Sequence, residues 1–496
     1  MSAQFKIKAA DPASVVRLER ELGLPRFIAA TLVARGIDNP AAVHRFLAPS
    51  LERDWLDPYI IPGLSDVADA LEAAVKRGDH ILVFGDFDLD GISATTVLTR
   101  GLRALGAQAT PFIPLRFEEG YALSQAAITR ACSFGPDFIV TVDCGIACKA
   151  EAAAVVEAGL GLAITDHHEP VDLVPEGVPV ADPKCDANCP SSILAGVGVA
   201  LKLVQVLGGR LGQPHLWRDF TDFATLGTVA DLMPMRDENR ALVSDGIARM
   251  NAAPRPCIAA LLATSGAADK PVSATNLSFS VIPRLNAAGR MGDAQLALDL
   301  LMTDDFEEAN RLATKLESVN DQRRAIEAEL SEIAKAQAAE IYHGQRALVV
   351  SGESWHEGVK GIVASRLVNT YGVPSLLFTI DGDEARGSGR SVGQVSLFSA
   401  VESASDLLTR FGGHDAAVGV TLPADKLPEF ERRLCAYMDA LPEGAFHPLV
   451  EIDSCVSLDE LTLDNVAQLD KLAPFGQEHP VPVYLARDVM LANCRA

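Results

Sequence analysis

Three stretches of this chain carry runs that are almost wholly apolar instead of alternating: ILVF in HILVFGD, FIVTV in FIVTVDCG (138–145) and GLAIT in GLAITDHHEP (161–170). A strand with one wet face alternates apolar and polar residues, so runs like these indicate strands covered on both sides. Helix-patterned segments separate them, VADALEAAVKRG, SATTVLTRGLRALG and KAEAAAVVEAG. Strand and helix in alternation predict an α/β fold built on a parallel sheet. A second α/β pattern begins at 346 with RALVVSG, GVKGIVASRLVNTYG and PSLLFTI. Between Gly292 and Gly344 there is no glycine or proline, and the Ala-, Glu- and Leu-rich stretch predicts one or two long helices joining the two patterns. Its apolar positions keep no strict heptad, which favours an intrachain spacer over a coiled-coil dimer.

At 496 residues the chain is too long for one core and predicts two to four domains. No window holds eighteen consecutive apolar residues, so no membrane span is expected. The first residues, MSAQFKIKAADPASVVRLER, lack the apolar core of a secretory signal, and a cytoplasmic location is expected. Nine cysteines, an odd number, argue for reduced thiols. Cys144/Cys148 and Cys185/Cys189 share a CxxxC spacing looser than that of a zinc ribbon and are read as small buried or loop thiols. The net charge of −23 disfavours nucleic acid only on average, since binding depends on one groove and not on the whole surface.

Four apolar runs end in acids or histidines. ILVFGDFDLDG gives Asp86, Asp88 and Asp90; FIVTVDCG gives Asp143; AITDHHEP gives Asp166, His167 and His168; ATLGTVAD (224–231) gives Asp231. Ligands of open parallel sheets sit at the carboxyl ends of the strands. One such ending is explained by helix capping; four, with two adjacent histidines, are not. Gathered carboxylates repel by on the order of several kcal/mol at low dielectric unless cations neutralise them. Aspartate oxygens with imidazole suit Mn²⁺ or Mg²⁺, and a pair of such ions would polarise a phosphoryl group and activate water.

DFDLDG, VD at 142–143, DHH at 166–168 and GTVAD at 227–231 resemble the four ordered motifs of the DHH phosphoesterases. The flanking segments IPLRFEEGYAL, LAGVGVALKL, PRLNAAGRMGDA, WHEGVKGIVASRL, GSGRS and FGGHDAAVG are similar to the RecJ branch of that family, from residue 20 onward. The resemblance implies a helical segment at 1–65, a DHH phosphoesterase domain at 66–300, a long helical connector at 301–345 and a DHH-associated domain at 346–440. An incomplete OB-like region at 441–496 would follow, since an OB barrel needs about a hundred residues. Asp88 and Asp90 would bind separate metals and Asp143 would bridge them. His167 and Asp231 would complete the second site, with Asp86 as a further ligand or a neighbour of the ligands. His168 would face the scissile phosphate and Asp166 would orient the histidine pair. Arg284, Asn286 and Arg290 would bind nucleic-acid backbone, and Arg390 and His414, with Arg386 nearby, would grip phosphate. The glycines of GSGRS and FGGH are read as loops exposing N–H groups to an anion. Trp355 and His356 are read as packing in preference to base stacking, and Tyr121 carries the same two readings.

Departures from the pattern are Lys360 for an aliphatic residue and Val418 for alanine, neither touching a proposed ligand. Phe84 stands where small-phosphoesterase relatives carry a histidine, as the RecJ-type GDxDxDG motif has it. The activity implied is a 5′-to-3′ exonuclease hydrolysing single-stranded DNA to 5′-mononucleotides with two Mn²⁺ or Mg²⁺ ions, in DNA repair and recombination. A helicase and a single-strand-binding protein are the expected partners and a monomer the expected state. Single-strand specificity would come from a cleft too narrow for a duplex. The alternatives are an oligonucleotide or dinucleotide phosphodiesterase and a non-catalytic replication scaffold, the latter expected to have lost ligands that this chain retains.

Overall fold

In a computed structural model of the chain, which describes residues 4–120 and 122–490, the polypeptide divides into two compact units. One comprises Ala41–Asn320 with Ala467–Val481; the other comprises the residues up to Pro40, Asp321–Val466 and the segment from Pro482. Tyr121 lies outside the described residues. Among the described residues no helix is long and apolar enough to cross a membrane.

The first unit is built on a five-stranded parallel sheet. In chain order its elements are β1 (His80–Gly85), α1 (Leu89–Ala104), β2 (Gln108–Phe112), β3 (Phe138–Val142), β4 (Gly161–Thr165) and β5 (Val180–Ala181). The spatial order is β2-β1-β3-β4-β5. Ile81, Leu82, Val83 and Phe84 of β1 are wholly buried, as expected of a central strand covered on both faces. β2, QATPF, was not legible from its sequence. Pro111 cannot donate to a ladder and is accommodated because β2 is an edge strand.

Register, more than composition, makes the site. Gly85 pairs with Val142 and Thr141 pairs with Ile164. Asp86, Asp143 and Asp166 therefore leave three adjacent strands at nearly the same level. The helices α2 (Gly196–Arg210) and α3 (Thr221–Ala230) follow. The fourth apolar run, 224–231, is thus the end of a buried helix, with Asp231 just past its last turn.

On α2, Lys202 is fully buried against Glu238, with Nζ 2.7 Å from the carboxylate. It also donates to the Leu56 carbonyl and lies 3.9 Å from the Trp55 ring centroid. Burial pulls the pKa of this amine down and the Glu238 charge holds it up. Lys202→Met leaves Glu238 buried without its counter-ion, and the urea unfolding midpoint is expected to report a loss of about 3–5 kcal/mol. A loss under 1 kcal/mol would show that the pair is incidental.

The glycine-free stretch is one 36-residue helix, α4 (Phe306–Ile341), whose residues up to Asn320 belong to the first unit and whose remainder belongs to the second. The second unit's sheet contains β6 (Leu348–Glu353), β7 (Ser375–Asp381), β8 (Glu384–Arg390), β9 (Arg410–His414) and β10 (Ala417–Pro423). The order is β9-β10-β8-β7-β6, with only β6 and β7 parallel. GSGR and FGGH therefore lie in strands β8 and β9 and not in loops. Gly387 is required by packing, since a Cβ there would meet the Phe378 ring at 2.4 Å.

Beyond residue 440 the described strands are short. Leu449–Ile452 pairs with Gln4–Ile7, and Ser454–Cys455 pairs with Tyr484–Leu485. Residues 467–481 instead join the first unit, where Arg240 donates to the carbonyls of Leu472, Ala473 and Pro474 at 2.7–3.0 Å.

Candidate metal centre

The loop between β1 and α1 holds three aspartates in three environments. Asp88 caps α1, its Oδ1 accepting from the N–H groups of Asp90 and Gly91 at 2.9 and 3.1 Å. Asp90 points back into the unit and accepts from the N–H groups of Gly196 and Val197, at 2.7 and 3.0 Å, at the start of α2. Asp86 is buried with its Oδ1 lacking any hydrogen-bond partner. The loop is closed from the far side by Asn286, whose Oδ1 accepts from Leu89 N–H at 3.2 Å.

Asp143 follows β3 with φ 61°, a left-handed conformation that Asp adopts more readily than most residues. His167 Nε2 lies 3.1 Å from Asp143, 3.6 Å from Asp231 and 3.7 Å from Asp90. His168 turns the other way, its Nδ1 2.7 Å from Asp166 Oδ1. Asp166 also accepts from the N–H groups of Ile146, His167 and His168. It thus fixes the histidine pair by three contacts and is itself held by the Ile146 N–H.

Two groups of ligand atoms result, Asp86–Asp88–Asp143 and Asp90–His167–Asp231. A third, Asp143–His167–His168, links them, the atoms of each group lying within 4.8 Å of one another. No cysteine joins these groups among the described residues. Three glycines make the approach possible. A Cβ on Gly91 would meet Asp86 at 2.6 Å, one on Gly196 would meet Asp143 at 2.5 Å, and one on Gly227 would meet Asp90 at 2.6 Å.

The electrostatics are those of a cation site. Burial, reinforced by neighbouring carboxylates, pushes the pKa values of Asp86, Asp90 and Asp143 well up. Burial and the Asp88 charge push Asp231 up to about 7. Burial, then the neighbouring His168, pushes His167 down to about 3, leaving a neutral imidazole. Burial also opposes charge on His168, but the hydrogen bond and charge of Asp166, with Asp231 and Asp90, raise it to about 9. Neutral imidazole and crowded carboxylates suit hard divalent ions. The buried Asp86 Oδ1, Asp143 Oδ1 and His167 Nε2, each without a hydrogen-bond partner, fit them as ligand atoms.

Metal binding must therefore displace protons. Titrating Mn²⁺ near pH 6.5 in two buffers of different ionisation enthalpy is expected to show proton release, growing as pH falls. In the metal-free protein the sign is opposite to ordinary acid denaturation. Carboxyls raised in the folded state stabilise it at low pH and lose that contribution as pH rises through their folded values, through about 7 for Asp231. Metal-free Tm should fall between pH 6 and 8 and be restored by Mn²⁺; a rise without metal would contradict this.

The remaining predicted residues are dispersed. Arg284 is ion-paired with Glu317 and donates to the Ser280 carbonyl, so its guanidinium is already engaged. Arg290 ends the helix Ile282–Arg290 that carries Asn286. On the second unit, Ala417 pairs with both Arg390 and His414, so those two side chains share one row at the strand ends. Arg386 sits four residues back along β8 and pairs with Asp381 and Glu384. The buried Lys360 amine is bonded to Glu357 and to the Arg386 carbonyl. Trp355 packs on Gly352, and His356 caps the helix Glu357–Tyr371. Reading the sequence missed Asp182, which follows β5 with a buried Oδ2 lacking a partner. It also missed the N–H groups of Gly196 and Val197, although the small residues of LAGVGV were their signal.

This sheet, with acids and paired histidines at its strand ends, defines a DHH-type protein. Residues 80–228 match the DHH family N-terminal domain, 344–440 the DHHA1 domain and 452–496 the RecJ OB domain. The single-stranded-DNA-specific exonuclease RecJ of Dickeya dadantii is 33% identical, the match covering 94% of this chain and 84% of the relative. That of Bacillus subtilis is 35% identical over 99% of this chain, which spans 62% of that relative. The Thermus thermophilus RecJ structure in complex with Mn²⁺ superposes with a TM-score of 0.85 at 32% identity, covering 97% of this chain and 69% of that one. The chain belongs to the RecJ family.

Proposed function

We propose that this chain removes 5′-mononucleotides from the 5′ end of single-stranded DNA with two Mn²⁺ or Mg²⁺ ions. The observation that carries the reading is Asp143, which joins the Asp86–Asp88 group to His167, the buried Asp86 Oδ1, Asp143 Oδ1 and His167 Nε2 having no hydrogen-bond partner. Relatives named as single-stranded-DNA-specific exonucleases support the choice of substrate. Asp86 and Asp88 would hold one ion and Asp90, His167 and Asp231 the other, with Asp143, 3.1 Å from His167 Nε2, shared between them. Bound there, the ions supply a Lewis acid for the phosphoryl oxygens and lower the pKa of water.

The residues around them do the rest. Asp90 is fixed by the N-terminus of α2, so its carboxylate does not reorganise during turnover. His168 holds its proton at neutral pH and, with Nδ1 committed to Asp166, offers Nε2–H to a phosphate oxygen as charge develops. Its side chain is 46% exposed. Arg390 and His414 are assigned to phosphate binding on their own unit. Action in the cytoplasm as a monomer, in repair and recombination, with a helicase or single-strand-binding protein presenting the strand, belongs to the same reading.

Digestion of single-stranded and duplex DNA labelled at either end, with and without Mn²⁺, tests it. Mononucleotide released first from the 5′ end of single strands only, and only with metal, is the expected result. Attack confined to two- to five-residue oligonucleotides would establish the oligonucleotide phosphodiesterase instead.

A further inference from the structure

Arg100 and Arg103 lie in the last turns of α1, which carries Asp90 at its opposite end. The helical rise places them about 15–20 Å from Asp90 along the axis. There they face, together with Arg249 and Arg255, a cavity of about 880 Å³ with Phe220 in its wall. In a chain of net charge −23, four guanidinium groups around one cavity run against the overall balance.

Ion pairing accounts for part of this. Arg100 reaches Asp304 at 3.0 Å, Arg249 reaches Asp219 at 3.4 Å and Arg255 reaches Asp222 at 2.7 Å. Two of these pairs are weak surface pairs, since Asp304 and Asp219 are 68% and 65% exposed. Arg103 bonds the Ala109 carbonyl at 2.9 Å and has no carboxylate partner among the described residues. The buried Nε of Arg100 has no hydrogen-bond partner.

We propose that this cavity binds a phosphorylated small molecule of nucleotide size, with its phosphates on Arg100, Arg103 and Arg249 and its ring against Phe220. Planar guanidinium groups grip phosphate by paired donors, and the volume suits a ligand of that size. Asp219, Asp222 and Asp304 share the lining with the four arginines, so a compact ligand that sets its phosphates on the arginines is favoured over an extended DNA backbone that would run past the carboxylates.

Calorimetric titration of the full chain with ADP, and separately with a short single-stranded DNA, tests the assignment. Saturable one-to-one ADP binding is expected, weakened at least ten-fold by Arg103→Gln and by Arg249→Gln and retained by Asp143→Asn. The Arg249 side chain is 40% exposed, so its replacement keeps the test informative if Arg103→Gln fails to fold. Absence of saturable binding, indifference to both arginine changes, or loss in Asp143→Asn would each overturn it. So would a DNA affinity that falls with the arginines while ADP fails to bind.

Discussion

Asp143→Asn is expected to lower Mn²⁺-dependent hydrolysis of single-stranded DNA by roughly 1,000-fold or more while raising the stability of the metal-free protein. Asp143 completes the Asp86–Asp88 group and lies 3.1 Å from His167 of the other group, so as the proposed shared ligand its loss is expected to disturb both ions. The stabilisation has an independent cause. The carboxyl is buried beside Asp90, Asp88 and Asp86, which together with burial push its pKa well up. Asparagine keeps its shape and removes the charge. Asparagine also tolerates the left-handed backbone at this position, φ 61°, so no new strain enters. The expected gain is about 1–2 kcal/mol in urea unfolding without metal. Steady-state turnover within ten-fold of the parent, or a metal-free protein made less stable, would show that Asp143 is not the shared ligand.

Gly196→Ala tests the cradle. The added Cβ would lie 2.5 Å from both Cβ and Oδ1 of Asp143, a distance that real contacts do not reach. Asp143 Cβ is tied to the backbone and cannot simply rotate away. Either the carboxylate is displaced or α2 shifts, and the same residue's N–H holds Asp90 at 2.7 Å. Mn²⁺ affinity is expected to fall about 10- to 100-fold, activity to fall at least as much, and stability to drop by about 1–3 kcal/mol. Gly209→Ala is the control on the same helix. Nothing lies within 4 Å of its Cβ position, and alanine's better helix propensity should leave it neutral or slightly stabilised. Equal Mn²⁺ affinity in the two variants would contradict the cradle.

The ligands were legible because the signal is local. ILVF is apolar and FIVTV nearly so, acids follow both, and these properties survive in one dimension. What places the acids together is not local. The pairing of Gly85 with Val142 is a fact of register, and Asp231 arrives from a helix whose ATLGTVA pattern suits a buried helix as well as a strand. Glycine misled at GSGRS, where Gly387 and Gly389 answer to close packing in a sheet, while in FGGH it is Gly413, at φ 137°, that needs glycine's backbone freedom within a strand. Partners distant in sequence were also invisible. Glu317, which engages Arg284, lies 33 positions away, and Asn286 bonds the Asp88 loop across 197 positions.

Electron paramagnetic resonance of the Mn²⁺-loaded protein measures the central claim most directly, since two ions sharing one carboxylate couple magnetically. The proposed sharing of Asp143 predicts an exchange-coupled pair at two ions per chain, which Asp143→Asn converts to uncoupled or absent ions. Two uncoupled ions in the unaltered protein, or a coupled pair that survives Asp143→Asn, would contradict it.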